Sequence, residues 1–324
     1  MVTKIETVWA DSRQLAQTQP LPPDSMKLVH LVPGKQVDLY AGLDEKLRPL
    51  LALRVSRRPP QVSLESDALE QFRLQRADGS WQMVLRLEKE GLEPVFGRLC
   101  QDLVDAAADM TSEQELLDLF VSRLRLWERL FSHTDDGLLD LHQIRGLMAE
   151  LLVLEQLLQT GKRSVADVVA GWVGPTGADQ DFVYSDLALE VKSLVPGRAT
   201  VSISSLGQLD CAVPLRLIVI PLAKASGSAQ GAVSLNGMAA RLEMLASSDG
   251  TALDLLRSRL LEARYVDHPG YDDQRFVPAD PACFSVDPGF PRLLRGEIPP
   301  GVVDAQYQVG LLALQPFQIP ASLE

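Results

Sequence analysis

Along this 324-residue chain the spacing of hydrophobic positions changes period several times, and each change predicts an element. From residue 37 the period is two. V-D-L-Y, then L-L-A-L-R-V-S at 50–56, then L-E-Q-F-R-L-Q and W-Q-M-V-L-R-L on either side of Asp78-Gly79 predict strands that include one tight hairpin. Trp81 in that hairpin reads as a core or edge side chain, and Arg73, Arg76 and Arg86 as a solvated face. The period then lengthens to that of a helix from about Pro94 to Ala108. A second helix, opened by a Ser112 and Glu115 capping box, carries Leu116, Leu119, Phe120, Leu124, Trp127 and Leu130. After F-S-H-T-D-D-G at 131–137, a boundary, a helix from about Leu139 to Leu158 places Ile144, Leu147, Met148, Leu151, Leu154 and Leu158 in one wide stripe. Residues 1–36, which include Pro20, Pro22, Pro23 and Pro33, are expected to be mostly irregular around one or two short segments.

Further along, A-T-V-S-I-S at 199–204 predicts a strand and S-L-G-Q-L-D a short helical or turn segment. L-R-L-I-V-I-P-L at 215–222 is apolar throughout, as suits a central strand covered on both faces. The small residues of A-S-G-S-A-Q-G at 225–231 form a linker or loop. The remainder predicts one helix, about Ala252 to Arg264, and a Pro-rich tract with short strands ending at Y-Q-V-G-L-L-A-L.

Chemistry gathers at residues 179–192, D-Q-D-F-V-Y-S-D-L-A-L-E-V-K, two short strands around a turn at Ser185 and Asp186. Val183, Leu187, Leu189 and Val191 are the alternating apolar positions, and the other face is expected to be polar. With a two-residue loop, Tyr184 faces Leu187, Asp181 faces Glu190 and Asp179 faces Lys192. Opposed residues have Cβ atoms about 4.5–5.5 Å apart, so two carboxylates repel across the pair. Glu190 and Lys192, two apart, share Asp181's face, which thus carries Asp, Glu and Lys. Such a set suits phosphodiester hydrolysis. Clustered carboxylates are ligands for hard Mg²⁺, and a lysine alongside can orient the attacking water or stabilise the developing charge.

In Asp181, eight intervening residues and Glu190-Val191-Lys192 the chain resembles the PD-(D/E)XK nuclease superfamily, although Gln180 and not Pro precedes the Asp. G-L-M-A-E-L-L-V-L-E at 146–155, G-W-V-G-P at 171–175, R-Y-V-D at 264–267, P-G-F-P-R-L at 288–293 and P-P-G-V-V at 299–303 extend the resemblance over most of the chain past residue 130. This ordered series is similar to an uncharacterised bacterial family of PD-(D/E)XK motif proteins found beside restriction and phage-defence genes. The resemblance implies a Mg²⁺-dependent (or Mn²⁺-dependent) nuclease acting on DNA. Asp181 and Glu190 would hold the metal, Lys192 would position the water, and a helix glutamate would complete the site. Glu150 and Glu155 both interrupt the apolar arc of their helix, where a carboxylate needs a partner. Glu150 is the choice for the site, Glu155 its rival, and a buried ion pair to an arginine such as Arg145 the structural alternative. The resemblance also puts Gln208 where many members bind substrate or water.

Composition adds limits. With three cysteines, no C-x-x-C pair and four scattered histidines, a zinc site or disulfide framework is not expected. No apolar run reaches the roughly 18 residues of a membrane helix and the start lacks a signal-peptide core, so a cytoplasmic protein without membrane contact is expected. Net charge is −12, and residues 131–225 carry seven Lys or Arg against eleven Asp or Glu. That balance argues against a free-standing nucleic-acid binder and for a homodimer or a separate protein partner that delivers DNA, and the resemblance implies that such a partner belongs to a defence system. The motif does not separate DNA from RNA. A catalytically silent nuclease fold serving in assembly or recognition is the rival function. The expected fold is α/β: an N-terminal α+β domain (1–130), a restriction-endonuclease-like core with a mixed central sheet flanked by helices (131–245), and a C-terminal extension (246–324).

Overall fold

The structure, a computed structural model, describes residues 5–31, 38–64, 67–107, 110–131, 138–226 and 229–320. The chain divides into two compact units, Met1–Leu138 and Leu139–Glu324. Of the expected boundary at 131–137, Phe131 ends a helix and residues 132–137 lie outside the described residues.

The first unit begins with α1 (Ile5–Thr18), which corrects the expectation of mostly irregular structure over 1–36. Ile5, Val8, Trp9 and Ser12 form a single narrow buried stripe. Trp9 stacks on Phe96 at 5.4 Å and its indole donates to the Leu50 carbonyl. Five antiparallel strands follow among the described residues: β1 (Met26–His30), β2 (Asp38–Asp44), β3 (Pro49–Val55), β4 (Leu69–Gln75) and β5 (Trp81–Leu87), in the order β1-β2-β3-β5-β4. The Asp78-Gly79 hairpin is present, with Gly79 in the left-handed region at φ 82°. Helices α2 (Glu93–Ala107) and α3 (Glu113–Phe131) lie where the apolar period predicts them, although the side chain of Leu130 lies outside the described residues. Arg86 is not a solvated-face residue. It pairs with Glu70, Glu88 and buried Asp44 and lies over Phe72, because its position on a central strand leaves the guanidinium among neighbouring strands' carboxylates.

The second unit opens with α4 (Leu141–Thr160), started by an Asp140 and Gln143 capping box and stopped at Gly161 in the left-handed conformation. Then come α5 (Val165–Gly171), β6 (Phe182–Val183), β7 (Ala188–Leu194), β8 (Thr200–Ile203) and β9 (Leu215–Ala225). They are followed by β10 (Val233–Ser234), α6 (Leu235–Ala246), α7 (Gly250–Glu262), β11 (Arg275–Pro278), β12 (Ala282–Ser285), β13 (Tyr307–Gly310), α8 (Leu311–Leu314) and β14 (Gln318–Ile319). As the apolar run predicts, β9 is central. It runs parallel to β7 along one edge and antiparallel to β12 and β11 along the other. With β6 on β7, β14 on β12 and β10 on β11, the described residues form a seven-stranded mixed sheet, and α4 lies against β7 and β9.

Three expectations are corrected here. The segment after the linker has two main helices, α6 and α7, and not one, because Asn236-Gly237 interrupts the apolar period of α6 at a position where Ser234 caps it. L-L-A-L is the short helix α8 and not the end of a strand. The expected extension is integral to the sheet, since β11, β12 and β14 all come from beyond residue 246. Of the expected linker 225–231, residues 227 and 228 lie outside the described residues, and β9 already includes Ala225.

Candidate active site

The hairpin has the register that a two-residue turn dictates. Phe182 pairs with Leu189, Val183 with Ala188, and the Tyr184 amide donates to the Leu187 carbonyl, which sets Asp181 opposite Glu190. The pairing stops there. Asp179 does not face Lys192: its carboxylate instead lies against Gly207, so close that a side chain at 207 would displace it. The polar side of the hairpin is also not a solvated face. β7 is covered on both sides, Glu190 is 0% exposed, and the expected inward Val183 is the exposed one at 38%.

Segment 171–175 joins the helix to the hairpin. The Trp172 indole donates to Glu150 Oε2 at 2.8 Å, while the amides of Val173 and Gly174 donate to the Asp181 carbonyl at 2.9 and 3.0 Å. A Cβ at Gly174 would sit 2.9 Å from Asp181 Oδ1 and 3.2 Å from Glu150 Oε2. Both carboxylates therefore close on one point that only glycine leaves open. Asp181 Oδ2 accepts from the Val191 amide at 2.7 Å, which fixes the remaining oxygen's direction. Glu155 is elsewhere, 3.3 Å from Arg241, and Arg145 lies over the Phe276 ring. Of the two helix glutamates, Glu150 is the one the structure brings to the hairpin acids.

Lys192 Nζ stands 2.7 Å from Glu190 Oε1, at ion-pair distance but off the hydrogen-bond direction. Among the described residues neither buried oxygen of Glu190 receives a hydrogen bond. Lys192 directs a proton instead to Gln208 Oε1 at 2.8 Å. The same oxygen accepts from the Ser204 amide at 2.7 Å.

Electrostatics follow from this crowding. Burial pushes the Glu190 carboxyl well above the usual range, Asp181 adds to the push, and Lys192 opposes it. Burial raises Glu150 well above its ordinary value, again with Asp181 adding, against the Trp172 hydrogen bond and Lys192. Burial likewise brings Asp181 up to about 6, opposed by the Val191 amide and by Lys192. Three carboxyls held above their ordinary values by burial thus stand together beside the Lys192 ammonium, which partly offsets the shift in each. The donor set fits a hard divalent cation: oxygen ligands only, with Glu190 offering two buried oxygens that lack donors. Among the described residues no group of three or more His, Cys, Asp or Glu side chains is placed to hold a metal ion, so the fit is one of donor chemistry and shared face alone.

Trp172 and Gly174 do not emerge from sequence reasoning as site residues, although the G-W-V-G-P segment between helix and hairpin carries the signal. A family described as "Putative PD-(D/E)XK family member, (DUF4420)" matches residues 8–312 of the chain. No curated protein and no solved structure matches it. No helix among the described residues is long and apolar enough to cross a membrane.

Proposed function

The chain belongs to this PD-(D/E)XK-related family, DUF4420, and from that premise we propose that it is a divalent-metal-dependent nuclease hydrolysing DNA phosphodiester bonds. The observation that carries the reading is the opposition of Asp181 and Glu190 with Lys192 2.7 Å from the latter. In it, Asp181 and Glu190 would hold a Mg²⁺ or Mn²⁺ ion, and Glu150, whose carboxylate accepts from Trp172, would complete or tune the set. Bound there, such an ion offsets charge developing on the phosphate and acidifies water.

The chain's own groups do the rest. Lys192 carries its ammonium beside the acids, where it orients the attacking water or donates to the phosphoryl oxygens as their charge grows. The near-complete exclusion of solvent from Glu190 strengthens each of these interactions. Gln208 has its carbonyl oxygen occupied by two donors, the Lys192 ammonium and the Ser204 amide, and so meets the lysine and not a substrate donor through that atom.

The resemblance supports a restriction-like or anti-phage setting, and the net charge of −12 supports a partner or second copy that brings DNA to the site. Retention of Asp181, Glu190 and Lys192 together favours an active enzyme over a silent nuclease fold, which has no need of all three. The test is incubation of the purified protein with supercoiled plasmid, linear duplex and RNA in Mg²⁺ or Mn²⁺, beside Lys192→Ala. Nicking or linearisation of DNA that falls by roughly 100-fold in the variant is expected. Binding without cleavage in either ion would favour the silent fold.

A further inference from the structure

The turn that carries Gln208 is held from three directions by residues distant in sequence. From the hairpin, the buried Gln180 side chain donates to the Gly207 carbonyl at 2.6 Å. From the segment after β12, Arg292 Nη1 donates to the Leu209 carbonyl at 2.5 Å. From the loop before β13, Asp304 Oδ1 accepts from the Leu206 amide at 2.9 Å. Each of the residues 206, 207 and 209 is thus tied, while Gln208, between them, points its oxygen at Lys192. The orientation of that amide follows from its neighbours. The Lys192 ammonium and the Ser204 N–H are donors only, so the atom between them must be the carbonyl oxygen.

A lysine stem has four rotatable bonds and its ammonium no preferred direction, so a carboxylate alone does not fix where the charge sits. Here Glu190 meets Nζ off the hydrogen-bond direction, and the aligned acceptor is Gln208. We infer that Gln208 is a positioning residue for Lys192, and that Arg292 and Asp304 act through the 206–209 turn to hold Gln208 in place. Arg292 and Asp304 belong to, or directly follow, the P-G-F-P-R-L and P-P-G-V-V runs, to which the sequence alone assigns no chemistry. The C-terminal third of the chain then contributes to the site without touching substrate. The catalytic meaning of this arrangement rests on the proposed nuclease activity, while the arrangement itself does not.

Two measurements separate those layers. In protein labelled with ¹⁵N-lysine, an ammonium held by a hydrogen bond gives a slowly exchanging Nζ resonance, and Lys192→Arg identifies which signal is Lys192. That signal is expected in the wild type, lost in Gln208→Leu, weakened in Arg292→Met and kept in Gln208→Glu, which retains an oxygen acceptor. Unfolding curves of the same variants control for loss of fold. An unchanged Lys192 signal in a folded Gln208→Leu protein overturns the inference, whether or not the protein cleaves DNA. In cleavage assays, Gln208→Leu is expected to lower kcat by roughly 10- to 100-fold with KM little changed, and to have no further effect in a Lys192→Ala background. Equal losses in both backgrounds would show that Gln208 does not act through Lys192. If the wild type cleaves nothing while the resonance behaves as expected, the nuclease reading falls and the positioning role stands.

Discussion

The indole of Trp172 donates to Glu150 across 22 residues of sequence, at 2.8 Å, and so fastens the carboxylate of a long helix to the segment that leads into the hairpin. Without it a largely enclosed carboxylate oxygen would have no donor. Trp172→Phe is therefore expected to destabilise the protein by about 1–3 kcal/mol. The loss should shrink when Glu150→Ala is made first, as urea unfolding of the four proteins would show. Equal losses in both backgrounds would mean that only packing was removed.

Opposed buried acids should make the fold respond to cations. Mg²⁺ or Mn²⁺ at 100 times its Kd is expected to stabilise the native state by about 2.7 kcal/mol. Glu190→Gln should lose most of that gain in a thermal shift measurement. Equal shifts in the two proteins would place the ions elsewhere.

Asp181 gives a pH dependence of definite sign. Its folded pKa of about 6 lies above the ordinary value near 3.9, so the folded state binds the proton more tightly than the unfolded chain. Below about pH 4 the carboxyl is protonated in both states and carries no penalty. As pH rises from about 4 to about 6 the folded state loses stability relative to the unfolded, and above that the loss is constant. In chelator, Asp181→Asn, which keeps an acceptor for the Val191 amide, should be more stable than wild type by about 1–3 kcal/mol at pH 7.5 and nearly equal at pH 4. An advantage that does not change with pH would contradict this.

Gly174→Ala tests the shared point of the two carboxylates. The added methyl meets Asp181 Oδ1, Glu150 Oε2 and the Asp181 Cα, and the backbone at 174 is outside the left-handed region, so the disturbance falls on the two acids and on the backbone that carries Asp181. Cleavage is expected to fall by roughly 10- to 100-fold, with a matching loss of cation-induced stabilisation. If both survive intact, those oxygens do not serve the site.

Charge sets the expectation for binding. With Ca²⁺ in place of Mg²⁺, the isolated chain should bind duplex DNA no more tightly than about micromolar at physiological salt, with a shallow salt slope. A steep slope with sub-micromolar affinity would reveal a basic groove that the overall balance of −12 conceals.

The register of the hairpin is legible because a two-residue loop at Ser185-Asp186 fixes the opposite pairs outward as far as Asp181 and Glu190, beyond which Asp179 leaves the ladder. The central strand was legible because 215–222 has no polar side to expose except Arg216. What alternation does not contain is the partner of each face. Glu190 reads as half of a solvated pattern, and only the covering of β7 on both sides makes it a buried acid. Gln208's tie to Lys192 and Trp172's to Glu150 depend on turns between elements, where spacing carries no periodic signal. Helix α1 was missed for a related reason: one narrow stripe around Trp9 is followed by R-Q-L-A-Q-T-Q-P, whose polarity masks the period.

The antiparallel seat of β12 on β9 has a consequence for the order of assembly. The acids and lysine of the site are synthesised by residue 192, yet the strand beside β7 gains its second edge only from residues 275–285, and Arg292 and Asp304 follow later still. A nascent chain that has emerged only as far as β9 carries an open apolar edge and an unsupported Gln208 turn. Contacts this distant in sequence form late and slowly. Premature termination would therefore leave a sticky, unfinished fragment and not a small working nuclease, and the phosphodiester chemistry proposed for this chain would begin only with its last strands in place.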